Sequence, residues 1–199
     1  MSNLSYSDLA FILKVKKYGE ADLIVHVLCR NGSKQVLMAK NALRSRRRFG
    51  GGVLEPTHLV HLSFGNSDAQ RGRGLQRLPL LSEAQIKEDF RYLRNSYERI
   101  QLGLYFVDLV DRVSFEATQD TEAMFWLLGH ALRAATTVQD LQQLKKYFEI
   151  KFLHCLGLWP QDFMHVMETP LKHCDQSPLE DTRILSVMIQ QFQQLFGTY

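Results

Sequence analysis

The sequence predicts an α+β chain in two parts, a small five-stranded β-barrel over residues 1–80 followed by an all-α helical bundle over residues 81–199. Three observations carry this. Apolar and polar residues alternate with a period of two through the first 80 residues. Asn31-Gly32 stands directly between two runs of β-formers, the strongest short-range hairpin signal, because both residues tolerate positive φ. From Ser82 onward the apolar period lengthens to that of a helix. With 45% hydrophobic and 23% charged residues, 199 residues make one large domain or two small ones around a real core.

In chain order, FILKVKK places Phe11, Leu13 and Val15 on one face of a first strand and Ile12, Lys14 and Lys16 on the other. DLIVHVLCR is the second strand, and SKQVLMAK returns after the Asn31-Gly32 turn. THLVHLSF is the fourth, closed by the turn chemistry of Gly65-Asn66-Ser67-Asp68. A fifth, about Gly72 to Leu80, is weakened by two glycines and Pro79. Five short strands with turns between them predict a barrel of the oligonucleotide-binding (OB) type.

The helical part opens with Ser82 and Gln85 in a capping-box pattern. Leu102, Tyr105, Phe106, Leu109, Val110 and Val113 then form an apolar stripe that needs a partner. Asp120 is placed to cap a helix containing Met124, Phe125, Leu127 and Leu128. Thr137 with Asp140 opens another, carrying Leu141, Leu144, Phe148 and Phe152, and Gly157 with Pro160 closes it. Ser177-Pro178-Leu179-Glu180 starts a last helix reaching about Phe196.

Charge is unevenly divided. Through residue 80 there are 13 lysines and arginines against 5 acids, a net +8, which leaves the remainder of a +3 chain at −5. The density peaks in AKNALRSRRRFGGGVLEP, Ala39 to Pro56, between the third and fourth strands. Like charges crowded onto one segment repel and await a polyanion. Lys14, Lys16, Lys34, Lys40, Arg44, Arg46, Arg47, Arg48, Arg71, Arg73 and Arg77 are the candidate nucleic-acid contacts, with Phe49 and Tyr18 as candidate stacking platforms. These arginines do not lie on an amphipathic helix with a bulky apolar face, so nucleic acid fits better than a membrane surface.

Enzyme signals are missing. RFGGGVLEP lacks the lysine and the strand-to-helix context of a phosphate loop, and there is no G-x-S-x-G elbow or Cys-x-x-Cys pair. His165, Glu168, His173 and Cys174 match the spacing of no closed zinc site, so neither metal nor cofactor is expected. His58 and His61 fall on opposite faces of a strand, and His26 reads as a half-buried sheet residue. Three widely spaced cysteines, no secretory signal and no apolar run of about 20 residues fit a cytoplasmic chain.

Two stretches carry a family likeness. AFILKVKKYGEADLIVHVL followed by AKNALRSRRRFGG and LEP resembles the N-terminal domain of RecO, the bacterial recombination mediator. LQQLKKYFEIKFLHCLGLWP resembles that family's Phe-Glu-x-x-x-Leu helix, here Phe148, Glu149 and Leu153, ending in Gly157 and Pro160. The likeness runs from about Ala10 to Pro160. Two departures stand out. Lys40-Asn41-Ala42-Leu43-Arg44 replaces the family's frequent Lys-Gly-Ala-Arg, and no four-cysteine zinc finger follows Pro160.

The resemblance implies an OB domain on a helical domain that binds single- and double-stranded DNA without catalysis and anneals complementary strands. It further implies partnership with RecR to load RecA onto gaps coated by single-stranded DNA-binding protein (SSB), in the nucleoid. In the family the acidic, aromatic-ended SSB tail docks in an apolar pocket with a basic rim that includes a basic residue just before the Phe-Glu motif. Lys146 occupies that matching place, and Lys145, Arg133 and Phe125 are further candidates for the rim and lining. The competing reading is an OB-type RNA-binding protein using Arg71-Gly72-Arg73-Gly74 as a flexible cationic contact.

Overall fold

The computed structural model describes residues 5–65, 78–114, 122–158 and 164–176, together with 179, 190 and 194. Five strands close into a barrel in the order β1-β2-β3-β5-β4, the connectivity of an OB-type fold. They are β1 (Ser5–Tyr18), β2 (Asp22–Cys29), β3 (Lys34–Ala39), β4 (Leu59–Gly65) and β5 (Leu80–Glu88). Every pairing is antiparallel except β3 with β5, where Met38 meets Leu80 in parallel and closes the ring. Closure there rests on that one pair and on Met38 N–H donating to Pro79 O at 2.8 Å.

The 14-residue β1 serves both halves of the barrel, and one irregularity lets it do so. Its register with β2 shifts between Ile12 and Lys14. Ala10 and Ile12 lie in the barrel core with Val25, Val27, Leu37, Val60 and Leu62, and Val15 packs against that same core. The strict alternation expected from the sequence, with Phe11, Leu13 and Val15 on one face, is therefore broken by a bulge. A bulge adds one residue and reverses the facing of everything after it. On its other side β1 extends the pairing with β4: Ile12 N–H donates to His58 O at 2.9 Å, and Thr57 N–H donates to Ile12 O at 3.1 Å. Phe11, on the other face, packs against Phe90 and Phe125 with ring centroids 6.2 and 4.9 Å away.

The β2–β3 hairpin forms where Asn31-Gly32 predicts it. Only Gly32 takes positive φ, at 83°, while the Asn31 carboxamide accepts the Ser33 N–H at 3.0 Å. The fifth strand departs further from expectation. It runs Leu80–Glu88 rather than about Gly72 to Leu80, so Ser82 and Gln85 stand in a strand and cap no helix. Helix-favouring residues such as Ala84, Gln85 and Lys87 mislead locally. Pairing along β4, with Leu81 and Ala84 buried in the core, overrides a propensity worth only tenths of a kcal/mol per residue (about 0.7 at most). Residues 66–77, including the expected turn at Asn66 to Asp68, lie outside the described residues.

The helices are α1 (Arg46–Phe49), α2 (Tyr97–Val113), α3 (Glu122–Thr137), α4 (Leu141–Cys155) and α5 (Met164–Glu168). Thr137 ends α3 rather than opening the next helix. Asp140 alone caps α4, its carboxylate accepting the Gln143 N–H at 2.9 Å. Gly157, at φ 73°, terminates α4 with its N–H on His154 O. Asp120, Pro160, the segment at Ser177-Pro178 and most of the expected last helix fall outside the described residues. Two compact units result, Met1–Phe90 with Val110–Phe125, and Arg91–Leu109 with Trp126–Tyr199. In the second unit aromatic rings of α2 and α4 pack together: Phe106 lies tilted against Phe148 with centroids 4.1 Å apart, and Phe148 stacks on Phe152 at 5.6 Å.

Candidate nucleic-acid interface

The arginine segment is built as an anchored helical turn, not an open loop. Leaving β3, Asn41 N–H donates to the Asp22 carboxylate at 2.8 Å and Leu43 N–H to Ala21 O at 3.0 Å. These two bonds tie the segment to the turn between β1 and β2. Ala42, Phe49 and Leu54 then insert into the barrel core, so the charges stand on a fixed base. Phe49 is consequently core packing and presents no ring to a ligand, whereas Tyr18 is 56% exposed.

Arg48 belongs to that base. Its guanidinium donates to Lys40 O at 2.8 Å and to Ser45 Oγ at 3.2 Å, and lies 5.1 Å from the centre of the Phe49 ring. After it, Gly51 and Gly52 take φ of 72° and 74°, the left-handed region that favours glycine. The space a Cβ would occupy at Gly52 is filled by the Glu55 carboxylate.

Lys16, Lys17, Lys40, Arg44, Arg46 and Arg47 are exposed. The register sets Lys17, Leu23 and Ala39 side by side across β1, β2 and β3, so the end of β1 and the end of β3 share one end of the barrel. Arg44 lies 3.5 Å from Glu20, but both side chains are largely in water, at 70% and 91% exposure, where such a pair contributes little. Among the described residues no ion pair or hydrogen bond holds the side chains of Lys16, Lys17, Lys40, Arg46 or Arg47. That end of the barrel is a field of unneutralised cations.

Lys14 and Lys34 have a different place. With His26 they converge on Asp111, whose carboxylate lies 2.7 Å from Lys34 Nζ, 3.0 Å from His26 Nδ1 and 3.8 Å from Lys14 Nζ. Lys34 Nζ also donates to Asp111 O at 2.6 Å. Burial alone would raise the Asp111 carboxyl, but hydrogen bonds and charge from Lys34 and His26 outweigh it and hold its pKa below the ordinary value. Of the two lysines, Lys34 is the one withdrawn from any surface interface, being only 13% exposed. Arg71, Arg73 and Arg77 lie outside the described residues.

Of the expected peptide-binding residues in the second unit, Arg133 and Lys145 line two different grooves. Phe125 is buried on Phe11 in the first unit. Arg133 lines a groove of about 490 Å³ floored by Leu127, Ala134, Pro170 and Leu171 and edged by His130, Lys151 and Lys172. Among the described residues no acidic side chain lines it. Burial first, then the charges of Arg133 and Lys151, depress the His130 pKa, as a positive site should. Lys145 lines a different groove of about 450 Å³ with Glu98, Leu104, Tyr105 and Asp108. Its ammonium lies 3.8 Å from Glu149 and 4.5 Å from the centre of the Tyr105 ring. Lys146 is half-buried on α4. Sequence reasoning missed Lys151, Lys172 and His130. Lys151 lies six residues beyond Lys145 on α4, and Lys172 in the short 3-10 helix Leu171–Gln176 after α5, without a spacing that would connect them.

Among the described residues no three His, Cys, Asp or Glu side chains are grouped to hold a metal ion, and no helix is long and apolar enough to cross a membrane.

Residues 1–88 match the family model described as "Recombination protein O N terminal". The chain is similar to the DNA repair protein RecO of Syntrophus aciditrophicus, 35% identical over 162 residues, covering 81% of this chain and 60% of that protein. It is similar to the RecO proteins of Desulfosudis oleivorans, 31% identical over 78% of this chain and 57% of that one, and of Symbiobacterium thermophilum, 31% identical over 78% and 58%. The chain thus spans less than two thirds of the length of these relatives.

Proposed function

Because the chain belongs to the RecO family, we propose that it is a non-catalytic, DNA-binding recombination mediator. It binds single- and double-stranded DNA, anneals complementary strands and, with RecR, helps load RecA onto single strands coated by SSB. The observation that carries the reading is the set of six exposed cations at one end of the barrel, Lys16, Lys17, Lys40, Arg44, Arg46 and Arg47, on a backbone pinned beneath them. Side chains of this kind neutralise phosphates and release condensed counterions, independently of base sequence. Two strands shielded from each other on one cationic surface can search for register.

Salt dependence tests this. Six phosphate contacts give a slope of about −4 for log K against log salt on single strands, and replacing Arg46 and Arg47 together with alanine should bring it to about −3. An unchanged slope would move the DNA site elsewhere on the chain.

The Arg133 groove supplies the SSB contact. An apolar lining with three cations, Arg133, Lys151 and Lys172, and no acid among the described residues suits a peptide that ends in an aromatic residue and a carboxylate and carries further acids. Arg133→Glu with Lys172→Glu should abolish binding of an acidic SSB-tail peptide while sparing naked DNA. Equal loss of both would reject the division of labour.

A further inference from the structure

We infer that Tyr18 is a nucleobase platform that lets the cationic end of the barrel distinguish single strands from duplex. This deepens the DNA-binding reading above and rests on it. Tyr18 is the last residue of β1, and its cross-strand partner is Asp22. The Asp22 carboxylate in turn takes the N–H of Asn41, at the root of the arginine segment. The Cα of Tyr18 thus stands about two strand spacings, roughly 10 Å, from the point where that segment leaves β3. Lys16 and Lys17 precede it in the strand and are themselves exposed.

The ring is 56% exposed, and among the described residues no ring or hydrogen-bond contact holds it. Tyr6, at the other end of the same strand and 49% exposed, stacks on Phe64 at 5.8 Å. The contrast matters because an aromatic face left open beside unneutralised cations offers both halves of what a single strand presents. The cations take phosphates, and the ring takes a base face. In a duplex every base is already stacked and paired, so only the cationic half can engage. Phe49, the other aromatic of this region, is buried and cannot serve.

The test compares the full chain with its Tyr18→Ala, Tyr18→Phe and Arg46→Ala/Arg47→Ala variants. Fluorescence anisotropy is read with a labelled oligothymidylate and with a duplex of equal length, each over a range of salt. Tyr18→Ala should weaken single-strand binding about 5-fold or more, leave duplex binding unchanged and leave both salt slopes unchanged. Tyr18→Phe should bind as the parent does, because the ring face and not the hydroxyl makes the contact. Equal losses on both substrates, no loss on single strands, or a Tyr18→Phe variant as weak as Tyr18→Ala would each overturn the inference. The double-arginine variant tells its failure from that of the underlying reading. If that variant also binds both substrates as the parent does, the interface itself is misplaced.

Discussion

Replacing Asp111 with asparagine removes the one carboxylate on which Lys14, His26 and Lys34 converge, and keeps its shape. The Asp111 side chain is 9% exposed, which makes this a buried cluster rather than a surface pair. Breaking a buried pair from one side typically costs about 3–5 kcal/mol, because the surviving charge is left uncompensated. Lys34 retains its bond to the Asp111 backbone carbonyl, which places the expected loss near the lower end, about 3 kcal/mol. With a urea m-value of about 2 kcal/mol/M, the midpoint in a far-UV circular dichroism titration should fall by about 1.5 M. Because the folded carboxyl is held below its ordinary pKa of 3.8, the contribution is fully present above that value. It is lost as pH falls through the lower, folded pKa. The gap between parent and variant should therefore be wide at neutral pH and close in acid. Replacing the pair together, as Asp111→Leu with Lys34→Met, should cost far less than the single change. A midpoint shift below about 0.5 M, or a gap that widens in acid, would refute the assignment of a buried electrostatic clamp.

Gly52→Ala should destabilise the barrel by more than Gly51→Ala. Both incur about 1–2 kcal/mol of left-handed strain, but only the Cβ at Gly52 meets the Glu55 carboxylate, so Glu55→Ala should recover part of the difference in thermal melts. Arg48→Ala should lower the melting temperature and leave the DNA salt slope closer to the parent's than Arg46→Ala or Arg47→Ala does, since its guanidinium is bound to Lys40 O and Ser45 Oγ. An NMR titration should find the His130 pKa below the ordinary 6.5 and rising when an acidic peptide occupies the Arg133 groove; no movement on saturation would place the peptide elsewhere.

What the sequence determined by itself is local. The Asn31-Gly32 hairpin, the β-forming runs of β1 to β4, the Asp140 cap and the Gly157 stop all form where residue chemistry places them. Each is decided by φ preferences, side-chain capping or periodicity within a few residues. The concentration of arginine between β3 and β4 was legible for the same reason. What only the tertiary structure decided is which partner a residue meets far along the chain. Barrel closure made a strand of LLSEAQIKE against its helical propensity and placed a bulge in β1 that reverses its facing. Closure also drew Phe49 inward and left Tyr18 outside. The cations were sorted in the same way. Asp111, 77 residues from Lys34 and 85 from His26, holds those two and approaches Lys14, while the lysines and arginines at the barrel's end meet no buried carboxylate among the described residues. Spacing along a chain carries no information about such encounters, because the burial and charge that decide them exist only once distant segments have packed.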